Sequence, residues 1–187
     1  MDKLPFRQVK KRVLEALRSE TFTVEALDGL PAQPTATALI AALPALEGAG
    51  RRRAIEAVGA VVARLAEEDL EAARNVVRKL VWSLNEESGG CPWGAPEVIG
   101  EICARHPQLA EEFASILVNF IDPELQYLEH PPLLESVAWA IRRVAQVRPD
   151  LLAHAEPHLT ALLHSPDNAI RAAAAHALDV LRQEGLV

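Results

Sequence analysis

The sequence predicts an all-α protein, and three observations support this fold class. Alanine and leucine, both strong helix formers, are abundant, whereas aromatic residues make up only 4% of the 187 residues. No segment alternates apolar and polar residues over the length of a strand. Apolar residues instead recur at steps of three and four, which places them on one face of a helix. In residues 69–85 these positions are Leu70, Ala73, Val77, Leu80, Val81 and Leu84.

Proline and glycine divide the chain into ten predicted helices. A residue before proline is pushed out of the helical conformation, so that pairs such as His106-Pro107 and Asp122-Pro123 indicate helix ends. The longest break is the segment Ser88–Pro92, which also contains a Gly-Gly pair. The predicted helices cover residues 5–18, 22–28, 34–47, 51–66, 69–85, 95–105, 108–121, 132–147, 150–164 and 167–183.

Length and charge limit the class of protein. Half of the residues are hydrophobic and 24% are charged, which is typical of a folded domain with a core. The formal net charge of −7 disfavours general binding to nucleic acid, because phosphates require cationic partners. We find no signal peptide and no long uncharged apolar run, and we therefore expect a cytoplasmic protein that does not bind membranes. The oligomeric state stays open.

Four of the predicted helices share a repeated pattern. The repeated segments begin at Ala54, Ala95, Leu134 and Arg171, so that successive starts lie 41, 39 and 37 residues apart. Each segment follows another amphipathic helix, and alanine or glycine recurs where neighbouring helices would approach closely. A two-helix unit at this period is typical of an α-solenoid.

The last unit, residues 150–183, carries the most specific motif. Asp167 precedes its second helix, Ile170 and Arg171 open that helix, and Pro157 lies in its first helix. In these positions the unit resembles the HEAT-like repeats of the bacterial type first described in phycobilisome lyases. The two middle units depart from the motif, since alanine and leucine stand at the position of the arginine.

The resemblance implies an architecture. HEAT-like repeats form a right-handed solenoid, or superhelix, of antiparallel helix pairs with a concave face. On this basis we expect one domain over residues 1–187, with an N-terminal cap in residues 1–30 and about four helical hairpins in residues 31–187.

The resemblance also implies a range of functions. HEAT-like proteins are mostly protein-binding scaffolds, but some resembling families bind or attach bilins and one repairs alkylated DNA bases. Another hydroxylates a modified lysine at a di-iron centre held by His-Glu dipeptides, and this sequence contains no such dipeptide. Damaged-DNA binding would need a basic track with tryptophan and a carboxylate. Trp139 and Arg142-Arg143 match this requirement only weakly.

The segment Trp82–Glu97, which spans the break between the fifth and sixth predicted helices, is the candidate binding site. It contains two of the three tryptophans, which are favoured at binding hot spots, and glycines that permit unusual backbone angles. The alternative is a purely structural role, in which Trp93 folds into the core and Gly89 and Gly90 only end a helix. The candidate binding residues are Trp82, Asn85, Glu86, Glu87, Ser88, Gly89, Gly90, Cys91, Trp93 and Glu97.

Other residues with reactive or metal-ligating side chains do not form a complete motif. Four carboxylates could converge on a cation, but clustered carboxylates more often form solvated surface. They are Glu86, Glu87, Glu97 and Glu101. His154 and His158 have a spacing found in zinc sites, but a third ligand is missing. Cys91 would need a base to act as a nucleophile, and Cys103 lies on an apolar helix face. We therefore predict no catalytic residue, metal or cofactor.

The sequence favours a non-catalytic protein-binding scaffold or adaptor, whose protein partner it does not identify. Binding would use the surface of the second helices and the 82–97 loop, with the basic clusters Arg51–Arg53 and Arg142-Arg143 reaching one side of the stack. The alternative is an enzyme or enzyme subunit of the bilin-lyase type that holds a small planar ligand near Trp93 and Cys91.

Overall fold

The computed structural model describes residues 4–19, 21–85 and 93–183, and this part of the chain is helical without a strand. The predicted all-α class is therefore confirmed. The α-helices of the described part are α1 (Phe6–Leu17), α2 (Ala32–Ala42), α3 (Gly48–Glu68), α4 (Leu70–Leu84), α5 (Ala95–Arg105), α6 (Pro107–Asn119), α7 (Pro131–Ala145), α8 (Glu156–Leu162) and α9 (Asn168–Gln183). Within these ranges, no helix combines the length and the apolar character that crossing a membrane requires.

Three predicted helices differ from the structure, and proline or glycine explains two of the differences. The predicted helix 150–164 is broken into two 3₁₀ turns, Pro149–Leu151 and Ala153–Ala155, before α8 begins. Pro157 lies in the first turn of α8, where its missing N–H does no harm. The predicted helix 22–28 is only a 3₁₀ turn, Val24–Leu27. The third difference concerns the end of the predicted helix 34–47. Gly48, which was expected to end that helix, has a φ of +50° and is instead the first residue of α3.

Side chains before two helices satisfy backbone N–H groups in the first turn. The carboxylate of Asp69 accepts a hydrogen bond of 2.9 Å from the N–H of Ala72 at the start of α4. The Nδ1 atom of His106 accepts one of 3.3 Å from the N–H of Leu109 at the start of α6. Such N-caps replace partners that a helix end lacks. They separate α4 from α3 and α6 from α5 with tight connections.

The four helices that carry the sequence repeat are successive neighbours in space. Helix α3 packs against α5, α5 packs against α7, and α7 packs against α9. The helices between them contact the row along the chain, as α6 does with α5 and α8 does with α9. At the N-terminal end, α1 packs on α2, which packs on α3. The apolar faces of these helices form one core cluster.

Small residues allow the row of repeat helices to pack closely. A Cβ atom built on Gly59 in α3 would lie 2.8 Å from Cβ of Glu101 in α5. A Cβ atom on Gly100 in α5 would lie 2.8 Å from Cα of Ala140 in α7. Both glycines occupy the sixth position of the repeated segment, and both contacted residues occupy the seventh. The repeat in the sequence therefore corresponds to a repeated contact in the structure.

A buried ion cluster joins α5 to α7 beside this contact. Glu101 is only 3% exposed. Its Oε2 accepts a hydrogen bond of 3.0 Å from Nε of Arg105. Its Oε1 accepts one of 2.8 Å from Nε of Arg143 in α7. A buried carboxylate needs such partners to offset its lost hydration. Arg143 therefore links the Glu101 carboxylate of α5 to α7, and Arg105 of the same helix pairs with its other oxygen.

We expect Gly100→Ala to destabilise the protein although alanine is the better helix former. The added methyl group would overlap the α7 backbone at Ala140, and overpacking of this kind costs about 1–3 kcal/mol, more than the helix propensity returns. Urea unfolding followed by circular dichroism measures the free energy of unfolding.

The matched control is Gly50→Ala in the first turn of α3. Its added Cβ would meet only Cδ2 of Leu46 at 3.9 Å, an ordinary contact distance. We expect this variant to equal or exceed the wild type by up to about 1 kcal/mol. Equal stability of the two alanine variants would contradict the close packing of α5 on α7.

Candidate functional site

A cavity of about 370 Å³ lies between α3, the start of α5 and α7. Its volume falls in the range of about 300–1,000 Å³ that is typical of ligand sites. Two tryptophans, Trp93 and Trp139, line it together with the carboxylates of Glu97 and Glu135. The cavity therefore combines aromatic surface with charged groups, as binding sites in proteins commonly do.

A glycine turn places Trp93 at this cavity. Gly94 precedes α5 with a φ of +85°, a left-handed conformation that side-chain-bearing residues rarely adopt. The Trp93 ring packs edge-on against the imidazole of His130, with 5.6 Å between ring centroids and 80° between planes. The tryptophan is half-buried and lines the cavity. The alternative that Trp93 folds into the core therefore does not describe this side chain.

Glu97 lies in the first turn of α5 with one carboxylate oxygen paired and one unpaired. Its Oε1 accepts a hydrogen bond of 2.8 Å from Oγ of Ser136 in α7. Its Oε2 is buried and has no hydrogen-bond partner in the described part of the chain. Burial raises the pKa of Glu97, while a backbone N–H, the Ser136 hydroxyl and the charge of Arg51 act in the opposite direction.

Two arginines of α3 complete the charged lining. Nε of Arg51 donates a hydrogen bond of 2.8 Å to the carbonyl oxygen of Leu46, which fixes this side chain near the start of α3. Arg52 is exposed on the same wall. The α3 side of the cavity therefore carries two arginines and the carboxylate of Glu56, and the sides from α5 and α7 carry Glu97 and Glu135.

A second cavity of about 240 Å³ continues the first along α7 and α9. The two cavities share Glu135 and Trp139, and the second adds Arg142 of α7 and His176 of α9. The Nε atom of Arg142 is buried without a hydrogen-bond partner in the described part of the chain. We call the two adjoining cavities, with walls from α3, α5, α7 and α9, the repeat groove.

The structure brings two of the predicted binding residues, Trp93 and Glu97, to the repeat groove. Trp82 is 67% exposed near the end of α4 and is not part of the groove lining that the structure describes. The side-chain Nδ2 of Asn85 donates a hydrogen bond of 3.1 Å to the carbonyl of Val81 at the same helix end. The predicted residues Glu86, Glu87, Ser88, Gly89, Gly90 and Cys91 lie outside the described residues.

The carboxylates of Glu97 and Glu101 do not converge on one point. Glu101 binds two arginines, whereas Glu97 binds Ser136. Across residues 4–19, 21–85 and 93–183, no grouping of histidine, cysteine and carboxylate side chains suits a metal ion. The part of the predicted carboxylate set that the structure describes therefore has other partners.

The predicted core role of Cys103 is confirmed. The residue is buried, and its Sγ lies 3.7 Å from the carbonyl oxygen of Leu109. Burial raises the pKa of the thiol to about 12. Because the thiolate is the reactive form, this cysteine is inert near neutral pH.

Trp139 was not among the predicted binding residues and stood only as a weak sign of DNA binding, whereas Arg142 was expected in a basic cluster on one side of the stack. The repeat itself contains a signal for Trp139. The sixth position of the repeated segment holds Gly59 and Gly100 in the first two units, where the helices touch, but Trp139 in the third and His176 in the fourth. Both of these larger side chains line the repeat groove.

Comparisons with known proteins add little to this description. No protein-family model matches the sequence. An uncharacterized protein of Archaeoglobus fulgidus is 35% identical over 80 residues, which cover 41% of this chain and 39% of that protein. The chain thus spans about two fifths of this relative's length. The crystal structure of an engineered protein matches 97% of this chain and 85% of its own, with 14% identity and a TM-score of 0.47, too weak a similarity to support an inference.

We expect Glu97→Gln to stabilise the protein at pH 7. Because burial raises the pKa of Glu97 in the folded state, the protonated carboxyl is favoured, and stability is lost as the pH rises from the ordinary pKa of 4.5 through the raised value. The gain over the wild type should disappear near pH 4, where both forms are neutral. Thermal unfolding at several pH values measures this difference.

Glu135→Gln is the matched control, since Glu135 is an exposed carboxylate of the same cavity. A surface substitution of this kind is expected to change the free energy of unfolding by less than about 0.5 kcal/mol at either pH. A Glu97→Gln variant that is less stable than the wild type at pH 7 would show that partners offset the lost hydration of the Glu97 carboxylate. That result would contradict the raised pKa of Glu97.

Proposed function

We propose that this protein is a non-catalytic protein-binding module and that the repeat groove takes a segment of the partner. The observation that carries the proposal is a groove along four packed helices with two tryptophans, Trp93 and Trp139, in its walls. Both side chains are half-buried and so are held in place while one surface stays accessible. Tryptophan and arginine in partly enclosed sites are typical of binding hot spots.

The proposal includes a HEAT-like solenoid in which α3, α5, α7 and α9 are the second helices of successive hairpins. The packing of each repeat helix on the next supports this arrangement. So does the recurring contact of the glycines Gly59 and Gly100 with the following unit. In a solenoid each unit adds one helix to the same surface, which produces an extended binding face from a short repeat.

The charges in the groove favour a protein partner over nucleic acid. Three carboxylates, Glu56, Glu97 and Glu135, line the larger cavity. A phosphodiester chain would meet repulsion there, because its affinity depends on replacing cations around each phosphate. A polypeptide, by contrast, offers both charged and apolar side chains to such a mixed surface.

The size of the larger cavity supports a second candidate function, the binding of a small planar ligand beside Trp93 in the manner of the bilin lyases. A volume of about 370 Å³ suits such a ligand, whereas Cys91 lies outside the described residues. This candidate requires a new absorbance band or an added mass after incubation with cell extract. Protein that stays colourless with its native mass would exclude it.

We expect Trp139→Ala to abolish the capture of at least one host protein that the wild type recovers. Truncation of a hot-spot tryptophan removes about 2–4 kcal/mol of binding free energy, enough to lose a partner during washing. The measurement is affinity capture from the native host with quantitative mass spectrometry. Circular dichroism checks that the variant is folded, and Trp93→Ala provides a second test of the same cavity.

Trp82→Ala is the matched control, because it removes the same side chain from the exposed end of α4. We expect it to recover the same partners as the wild type. Loss of partners with Trp82→Ala alone would move the binding surface to the 82–97 loop. Identical recovery by all three variants would contradict a binding role for the groove.

A further inference from the structure

Two buried side-chain polar atoms have no hydrogen-bond partner within the described ranges, and both belong to residues that line the repeat groove. They are Oε2 of Glu97 in the larger cavity and Nε of Arg142 in the smaller one. Buried polar atoms in folded proteins are almost always hydrogen-bonded, so that each exception calls for an explanation. Here the two exceptions belong to different cavities, and Trp139 lines both of them.

The unpaired oxygen of Glu97 requires a hydrogen-bond donor. In its ionised form, which a cationic partner would favour, the Glu97 carboxylate is an acceptor only, and its other oxygen is already bound to Ser136. The charge of Arg51 acts on Glu97, but no side chain in the described ranges, Arg51 included, donates a hydrogen bond to Oε2. Trp93 and Trp139 line the same cavity, and the faces of indole rings attract cations. A lysine or arginine side chain fits these three features together.

The unpaired nitrogen of Arg142 requires the opposite partner. A guanidinium is a donor only, and it binds carboxylates with two parallel hydrogen bonds in favourable geometry. The α9 side of this cavity consists of Ala169, Ala172, Ala173 and His176, so that most of it is apolar. Such apolar surroundings strengthen a charged contact once water is displaced. An aspartate or glutamate side chain fits this cavity.

We propose that the repeat groove binds an extended peptide segment that carries one basic and one acidic side chain. The basic side chain pairs with Glu97 in the larger cavity, the acidic one pairs with Arg142 in the smaller cavity, and the chain between them crosses Trp139. This inference rests on the proposed protein-binding function and specifies its ligand. The charges of the two cavities are complementary to such a segment and fix its direction along the groove.

A single ion does not account for both unpaired atoms. A cation would satisfy Glu97 and leave Arg142 unpaired, whereas phosphate or another anion would do the reverse. A polypeptide supplies both charges at a separation set by its own sequence and adds apolar surface for the indole of Trp139. The groove thus selects for a pattern of residues rather than for a charge.

The test uses a random 12-residue peptide library displayed on phage and selected on the immobilised wild-type protein. We expect the enriched peptides to share a Lys or Arg and an Asp or Glu at one fixed separation. Synthetic peptides with the selected sequence, and with alanine at each charged position, are then titrated by fluorescence polarisation against wild type, Glu97→Gln and Arg142→Gln.

The expected result is a specific coupling between each charged peptide residue and one side chain of the groove. Glu97→Gln should weaken the selected peptide by about tenfold or more, and should weaken the peptide lacking its basic residue by less than about twofold. Arg142→Gln should show the same dependence on the acidic residue. Glu124→Gln, at an exposed carboxylate that lines neither cavity, should change either affinity by less than about twofold.

Three outcomes would overturn the inference. Selected peptides that lack the charged pair but lose binding with Trp139→Ala would leave the groove as a binding site and refute the ligand pattern. Additive effects of the protein and peptide substitutions would refute the assigned pairs. Failure to enrich any peptide that depends on Trp139 would contradict the peptide ligand, while host capture would decide separately on the proposed function.

Discussion

The close approach of α5 to α7 is the constraint on which the rest of the structure depends. Gly100 leaves no room for a side chain against Ala140, and Glu101 reaches across to Arg143 beside it. These contacts fix the register of the two helices. One turn earlier along α5, that register brings Glu97 to Ser136 and places its carboxylate in the cavity that Trp139 also lines.

The same interface contains one carboxylate that is fully paired and one that is not. Glu101 binds two arginines, while Glu97 keeps a buried oxygen without a partner, although the two residues are one helical turn apart. Arg142 and Arg143 show the same contrast on α7, since only Arg143 is bound to Glu101. Proteins commonly leave local rules unsatisfied where a ligand completes them, and stability is lower there as a consequence. The paired residues hold the helices together, and the unpaired ones define the groove.

The sequence predicted the helices and their repeat well because the apolar period and the position of proline act locally. It was wrong on residues 150–164, where α8 begins only at Glu156, with Pro157 in its first turn, and short 3₁₀ turns replace the predicted first half. Trp93 and Glu97 could be predicted as site residues because an unusual loop carries them. Trp139 was not predicted, because it stands inside a regular helix and its place at the sixth position of the repeat, where the first two units have glycine, is a weak signal. The packing of α9 on α7 shows that its side chain meets a groove.

The most direct test of the α5–α7 constraint is a double-mutant cycle between Glu101 and Arg143, using Glu101→Gln, Arg143→Met and the double variant. Urea unfolding gives the free energy of unfolding of each. Because the Glu101 carboxylate is 4% exposed and bound to both arginines, the account predicts a coupling of at least about 1.5 kcal/mol. Effects that add within about 0.3 kcal/mol would contradict the claim that this ion cluster sets the packing of α5 on α7.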